Sequence, residues 1–337
     1  MSKTAADKPK IPDFLTSEGE LGEMIRNFDW SATSLGPISS WSQSLKTTVN
    51  LMLHSKNPIW IGWGPENTFL YNDAYIDVLG IDKHGWALGR PASIVWEEIW
   101  DVCGPLSDKV FSRSEASSSE DVQLFMKRGD FLEEVFYSFS YSPIYDEFGK
   151  VSGLFCPNFE TTEKILSARR NRTLSELAAK SLIEKNIESA YASSAAILKK
   201  NPEDIPFAVF YNVEKTGHTA EMVQRIRLKR NTRDFFPDSF EVADETGMHK
   251  ALAEVISTGK PKVIRIPEAG IFQKGQAGQP VQLIIALPLT TTAKKTGGML
   301  ICGINPTRKL DHNYNTFFEL VAGQVSAPLQ RATCPRG

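Results

Sequence analysis

Apolar positions along the chain fall into two sets of short segments, divided by one long stretch without Gly or Pro. In the first set, Leu21–Asn27 and Ser44–His54 read as short helices, the second carrying Leu45, Val49 and Met52 at helical spacing. Pro58–Trp63 and Thr68–Tyr71 are aromatic runs around Gly64-Pro65-Glu66-Asn67, a hairpin signal. Asn72-Asp73 is placed to cap a helix that ends near Leu79-Gly80, and Ser93–Ser112 fits another. Three extended stretches follow: Val122–Lys127, Phe131–Tyr141 and Val151–Phe159. In the second of these, Val135, Tyr137, Phe139 and Tyr141 alternate with Glu134, Ser138 and Ser140. This pattern predicts five strands with helices between the second and third, an antiparallel sheet covered on one side.

From Glu160 to Lys200 the absence of Gly and Pro predicts one long helix, with Leu174, Leu177, Ala178 and Leu182 on one stripe. Strands are expected at Phe207–Val213, Arg225–Lys229, Lys262–Ile266, Val281–Leu289 and Gly298–Ile304. A helix with Met248, Leu252, Val255 and Ile256 stops at Gly259, and a last helix follows Asp311. The fold class is therefore α+β: two domains, each a mainly antiparallel sheet flanked by helices, joined by a long helix. The expected organisation is a mobile tail over 1–20, a helical leader over 21–56, a first domain over 57–165, a linker helix and second domain over 166–330, and a tail over 331–337.

Composition sharpens the division. Residues 1–165 hold 14 basic and 24 acidic side chains, a balance of −10; residues 166–337 hold 24 and 16, a balance of +8. All seven Trp lie in the first hundred residues. No apolar run has the length of a membrane span, and the polar, Lys-rich start is unlike a secretory signal, so a cytoplasmic protein is expected. Cys103, Cys156, Cys302 and Cys334 are scattered, with no Cys-x-x-Cys pair, which speaks against zinc or a disulfide framework and for buried or incidental thiols.

The first half resembles a PAS domain. The resemblance rests on Asn72-Asp73-Ala74-Tyr75, Leu79-Gly80, Leu88-Gly89-Arg90-Pro91, the hairpin Pro143 to Lys150, and the exit Glu160-Thr161-Thr162-Glu163. The leader, Phe28-Asp29-Trp30-Ser31-Ala32-Thr33 and Leu35-Gly36-Pro37 through Trp41, is similar to that of one group of PAS–GAF sensor histidine kinases. The second half fits a GAF domain by element order. The resemblance implies a signal-sensing input module of two-component phosphorelay signalling, with a homodimer and a histidine kinase or other signalling protein as partners. The chain departs from the family in one respect: none of its five His stands in a phosphoacceptor context, and no ATP-binding boxes occur. Pro328 is also expected to interrupt any helix continuing toward a kinase. A sensory region that is not itself an enzyme follows, and the alternative is a free-standing dimerisation and interaction regulator without a ligand.

Candidate chemistry is sparse. Trp60, Tyr71, Tyr137, Phe139 and Tyr141 at strand positions suggest a pocket for a small apolar or aromatic ligand, against the alternative of a filled aromatic core. No cofactor is called for: there is no flavin-type Cys segment, no Cys-His pair for a bilin, and His84 reads as an exposed loop residue rather than a haem ligand. Arg225, Arg227 and Lys229 alternate along an expected strand and would share one basic contact face, either a solvated face or a phosphate or protein contact. No nucleic-acid fold accompanies them, so neither nucleic acid nor membrane is expected as a partner. Leu174, Leu177 and Leu182, with Phe317 and Val321, are the candidate dimer helices.

Overall fold

The computed structural model describes residues 14–184, 186–228, 232, 234–243, 247–266, 275–291 and 295–332. The chain divides into two compact units, Met1–Thr162 and Glu163–Gly337.

In the first unit, helix α1 (Glu20–Asn27) has Glu20 and Glu23 in its first turn and Arg26 in its last, matching the helix dipole. Its N-cap, Gly19, offers no side chain; Asp73 supplies the cap from outside, its Oδ1 accepting from the Leu21 amide at 2.7 Å. Two single-turn 3₁₀ segments, Trp30–Ala32 and Ile38–Ser40, lead to α2 (Gln43–His54), capped by Ser42 and burying Leu45, Val49, Met52 and Leu53. Strands β1 (Ile59–Trp63) and β2 (Thr68–Tyr71) form the expected hairpin, with Trp60 opposite Tyr71. Positive φ at Gly64 and Asn67 closes the turn. The short helices α3 (Ile76–Leu79) and α4 (Ala92–Val95) follow, then α5 (Trp100–Arg113) and the long strands β3 (Ser117–Arg128), β4 (Phe131–Tyr145) and β5 (Val151–Glu160). The sheet order is β2-β1-β5-β4-β3, antiparallel throughout. A single core gathers the leader, the helices and the inner sheet face.

Three expectations change here. The segment 14–19 is not a free tail: Leu15 is 2% exposed, and Arg26 Nη1 donates to the carbonyls of Leu15 (3.2 Å) and Ser17 (2.7 Å). The helix expected over Ser93–Ser112 is divided into α4, a 3₁₀ turn at Glu97–Ile99, and α5. Asn72 does not cap a helix with its side chain. Fully buried, it accepts from the Ile59 amide at 3.0 Å, while its Nδ2 lies among the carbonyls of Met52, Ser55 and Asn57 at 3.1, 3.2 and 2.8 Å.

In the second unit the single helix expected to Lys200 is two, α6 (Thr162–Ser181) and α7 (Ile187–Leu198), the latter capped by Asn186, whose Oδ1 accepts from Ser189 N at 2.8 Å. The sheet has six strands among the described residues: β6 (Ala208–Val213), β7 (Thr219–Ile226), β8 (Ser239–Glu241), β9 (Lys262–Arg265), β10 (Leu283–Thr290) and β11 (Thr296–Gly303). Its antiparallel order is β8-β7-β6-β11-β10-β9. Helix α8 (Gly247–Thr258) belongs to the core on one face, with Leu252, Val255 and Ile256. On the other lie α6, α7 and α9 (His312–Ala332). Helix α9 runs through Pro328, against expectation, because Leu329 beyond the proline is still buried and anchors the last turn. Among the described residues no helix is long and apolar enough to cross a membrane.

Candidate functional site

The alternating strand β4 turns Tyr137, Phe139 and Tyr141 inward, where they meet Trp60 of β1. Trp60 and Tyr141 are edge to face at 5.6 Å, and Phe139 and Tyr141 lie 5.4 Å apart. Tyr75, Trp96 and Cys103 help to line what they leave open, a cavity of about 20 Å³. That is room for about one water molecule. Tyr71 does not line this cavity. Its hydroxyl accepts from the Gly85 amide at 3.0 Å and lies 3.0 Å from His84 Nδ1, while His84 Nε2 lies 3.0 Å from Glu20 Oε1. His84 is therefore not the exposed loop residue expected. Burial pushes the Tyr71 phenol upward, away from ionisation.

Tyr137 has a second contact. Its hydroxyl donates to Glu160 Oε2 at 3.0 Å and receives Arg128 Nη2 at 3.3 Å. The other Glu160 oxygen accepts from Thr162 Oγ1 at 2.8 Å, and Thr162 is the first residue of α6. A ring of the core cavity is thus two hydrogen bonds from the start of that helix.

The basic face is not assembled as expected. Strand β7 ends at Ile226, and Arg227 takes a left-handed conformation (φ 50°) that swings it off the strand. Its guanidinium donates to the carbonyls of Pro206 (2.8 Å), Lys199 (2.6 Å) and Ile205, and the burial this entails pulls its pKa down. Arg225 stays exposed on the strand, and Lys229 lies outside the described residues. The candidate dimer stripe is also redistributed. Leu177, Phe317 and Val321 are buried within the second unit's core, Leu174 packs against it, and Leu182 stands past the end of α6, 75% exposed.

Two features were not read from the sequence. In the second unit, the fully buried Asp204 takes Arg169 on both oxygens (2.8 and 3.1 Å), Arg170 at 3.2 Å and Asn201 at 3.0 Å, while Arg170 lies over the Tyr314 ring at 4.4 Å. In the first, the leader forms a groove of about 780 Å³, bordered by Phe14, Arg26, Phe28, Ile38, Ser39 and Lys46, among others. The sequence did carry the signal for both, in adjacent arginines on a helix and in aromatics interleaved with cations. Neither pattern says what it will face.

Thiol chemistry finds little support in these surroundings. Cys103, Cys156 and Cys302 are all buried. Desolvation pushes the Cys103 thiol up to about 11 and raises Cys156 and Cys302 as well, so the thiolate is suppressed at neutral pH.

No protein-family model matches the sequence, and no curated protein does. Similar solved structures each match about half of this chain. The GAF domain of a phosphoenolpyruvate-protein phosphotransferase from Coxiella burnetii matches with 11% identity and a TM-score of 0.37, over 49% of this chain and 95% of that one. The corresponding GAF domain from Acinetobacter matches with 10% identity and a TM-score of 0.34, over 49% and 95%. A free methionine-R-sulfoxide reductase from Neisseria meningitidis, solved with its substrate, matches with 14% identity and a TM-score of 0.37, over 48% and 89%. Likeness at this level leaves the fold to be read from the chain's own sheets and the chemistry from its own residues.

Proposed function

We propose that the chain is a sensory input module of phosphorelay signalling, a PAS-like unit followed by a GAF-like unit, which works on a kinase rather than as one. The observation that carries this reading is the path from Tyr137 through Glu160 to Thr162, because it ties the aromatic core of the first unit to the first turn of α6. A change in the packing of that core alters what holds the helix start, and a helix shift is a known way to carry such a change. The module acts as a two-fold dimer in the cytoplasm, with exposed apolar side chains such as Leu182 and Leu320 available to the partner copy.

The test is a fusion of the full chain ahead of a histidine kinase module, with the linker lengthened one residue at a time through a heptad. Autophosphorylation that rises and falls with helical period, and a response flattened by Tyr137→Phe, is the expected result. Activity indifferent to linker length and to Tyr137→Phe would remove the reading, and a monomer in sedimentation would remove its dimer. The core cavity of about 20 Å³ favours the second reading, a dimerisation and interaction regulator in which this core holds no ligand.

A further inference from the structure

Two concavities of the first unit differ in what they can hold. The ring-lined cavity has room for about one water, whereas the leader groove, at about 780 Å³, has the size of a small-molecule site. The groove is firmly built. Trp30 at its border is held by its Nε1 donating to Ile25 O at 2.8 Å, and Trp41 behind it by Nε1 donating to Gly36 O at 3.0 Å. The two indoles meet edge to face at 5.1 Å. A site held in place before binding loses less ordering entropy when a ligand arrives.

Its chemistry is amphipathic and positive. Phe14, Phe28 and Ile38 give it apolar surface, while α1 contributes Arg26 and α2 contributes Lys46. Arg26 commits Nη1 to two carbonyls, and its Nε and Nη2 have no hydrogen-bond partner among the described residues. Lys46 Nζ lies 5.7 Å from the Phe14 ring and pairs with no carboxylate among the described residues. Asp29, also on the groove, already turns Oδ1 to the amide and hydroxyl of Ser31. Two cations with unspent donors against one carboxylate leave the groove net positive, which calls for an anion.

We propose that the leader groove binds a small amphipathic acid, with an aromatic or compact apolar body against Phe28 and Ile38 and a carboxylate met by Arg26 and Lys46. Ligand sensing in the first unit is thereby placed in the leader rather than in the core of the sheet. This goes beyond the phosphorelay reading: binding is measured on the isolated chain with no kinase present, so the failure of one and of the other are separate results.

The experiment is saturation-transfer NMR on the full chain with 4-phenylbutyrate and with 4-phenylbutyramide, which shares its body without the charge. The acid is expected to bind and the amide to bind about tenfold more weakly, the equivalent of one lost charge-assisted hydrogen bond. Lys46→Glu should weaken the acid about tenfold or more, and Ser39→Trp, which fills the groove from its exposed 3₁₀ turn, should block both. No transfer from the acid, equal binding of acid and amide, or undiminished binding to a folded Lys46→Glu or Ser39→Trp protein would each overturn the proposal. Should Lys46→Glu not fold, Ser39→Trp decides alone.

Discussion

Asn72 shows how one side chain can organise a unit. Its amide has two hydrogens for three carbonyls at the end of α2, and its oxygen receives the first amide of β1. Ser55 already caps the helix, its amide donating to Met52 O and its hydroxyl to Asn57 O, so Asn72 adds to that cap, takes the Ser55 carbonyl, and serves Ile59 as a strand partner. Asn72→Ala takes the partner from the buried Ile59 N–H and from the Ser55 carbonyl and is expected to cost about 3 kcal/mol. Urea titration followed by Trp fluorescence checks it, and a loss below about 1 kcal/mol would mean that water replaces the amide. Its neighbour Asp73 turns the other way, to the Leu21 amide, so the Asn-Asp pair fastens β2 to both leader helices. The pair was legible as a motif, yet its partners were not: they lie 13–52 positions away, and nothing local encodes them.

Elements were most legible where a period ran long enough to be seen. The hairpin β1–β2, the alternation of β4, and the helices α1, α2 and α8 all follow their patterns within a residue or a few. The misses have local causes. The break between α6 and α7 comes without Gly or Pro; it is made by Asn186, whose cap on Ser189 was a readable start signal inside an apolar pattern. The basic strand failed because its alternation assumed extended backbone through Arg227, where a positive φ and three carbonyl acceptors redirect the side chain. The placement of α6 depends on Asp204, which holds Arg169 and Arg170 although neighbouring helix positions point about 100° apart. Both arginines are largely buried with it, and removing one partner of such a cluster strands charge out of water. Asp204→Asn is therefore expected to cost about 3–5 kcal/mol. Arg169→Lys should lose less, since it keeps the charge and forfeits only the two-pronged contact. Equal losses for the two variants, measured by chemical denaturation, would show that geometry rather than charge holds the helix.

At the scale of the whole molecule, the composition that separates the two halves also supplies a way to watch them singly. One core cluster lies within the first unit and the other two within the second. All seven Trp belong to the first, and Trp30, Trp41, Trp60 and Trp96 are buried there. Trp fluorescence therefore reports the unfolding of the first unit alone, whereas far-ultraviolet circular dichroism reports both. Two cores without shared members are expected to melt as two transitions rather than one. Asn72→Ala should then lower the Trp-detected midpoint by roughly 6–12 °C, from its cost of about 3 kcal/mol in a unit of this size. It should leave the second dichroism transition in place. Asp204→Asn should do the reverse, lowering the dichroism transition that has no Trp counterpart. Differential scanning calorimetry, read alongside both probes, assigns each peak. If either variant drags both transitions down together, the units unfold as one cooperative block, and a signal leaving the first unit would reach the second by shared stability rather than through the start of α6.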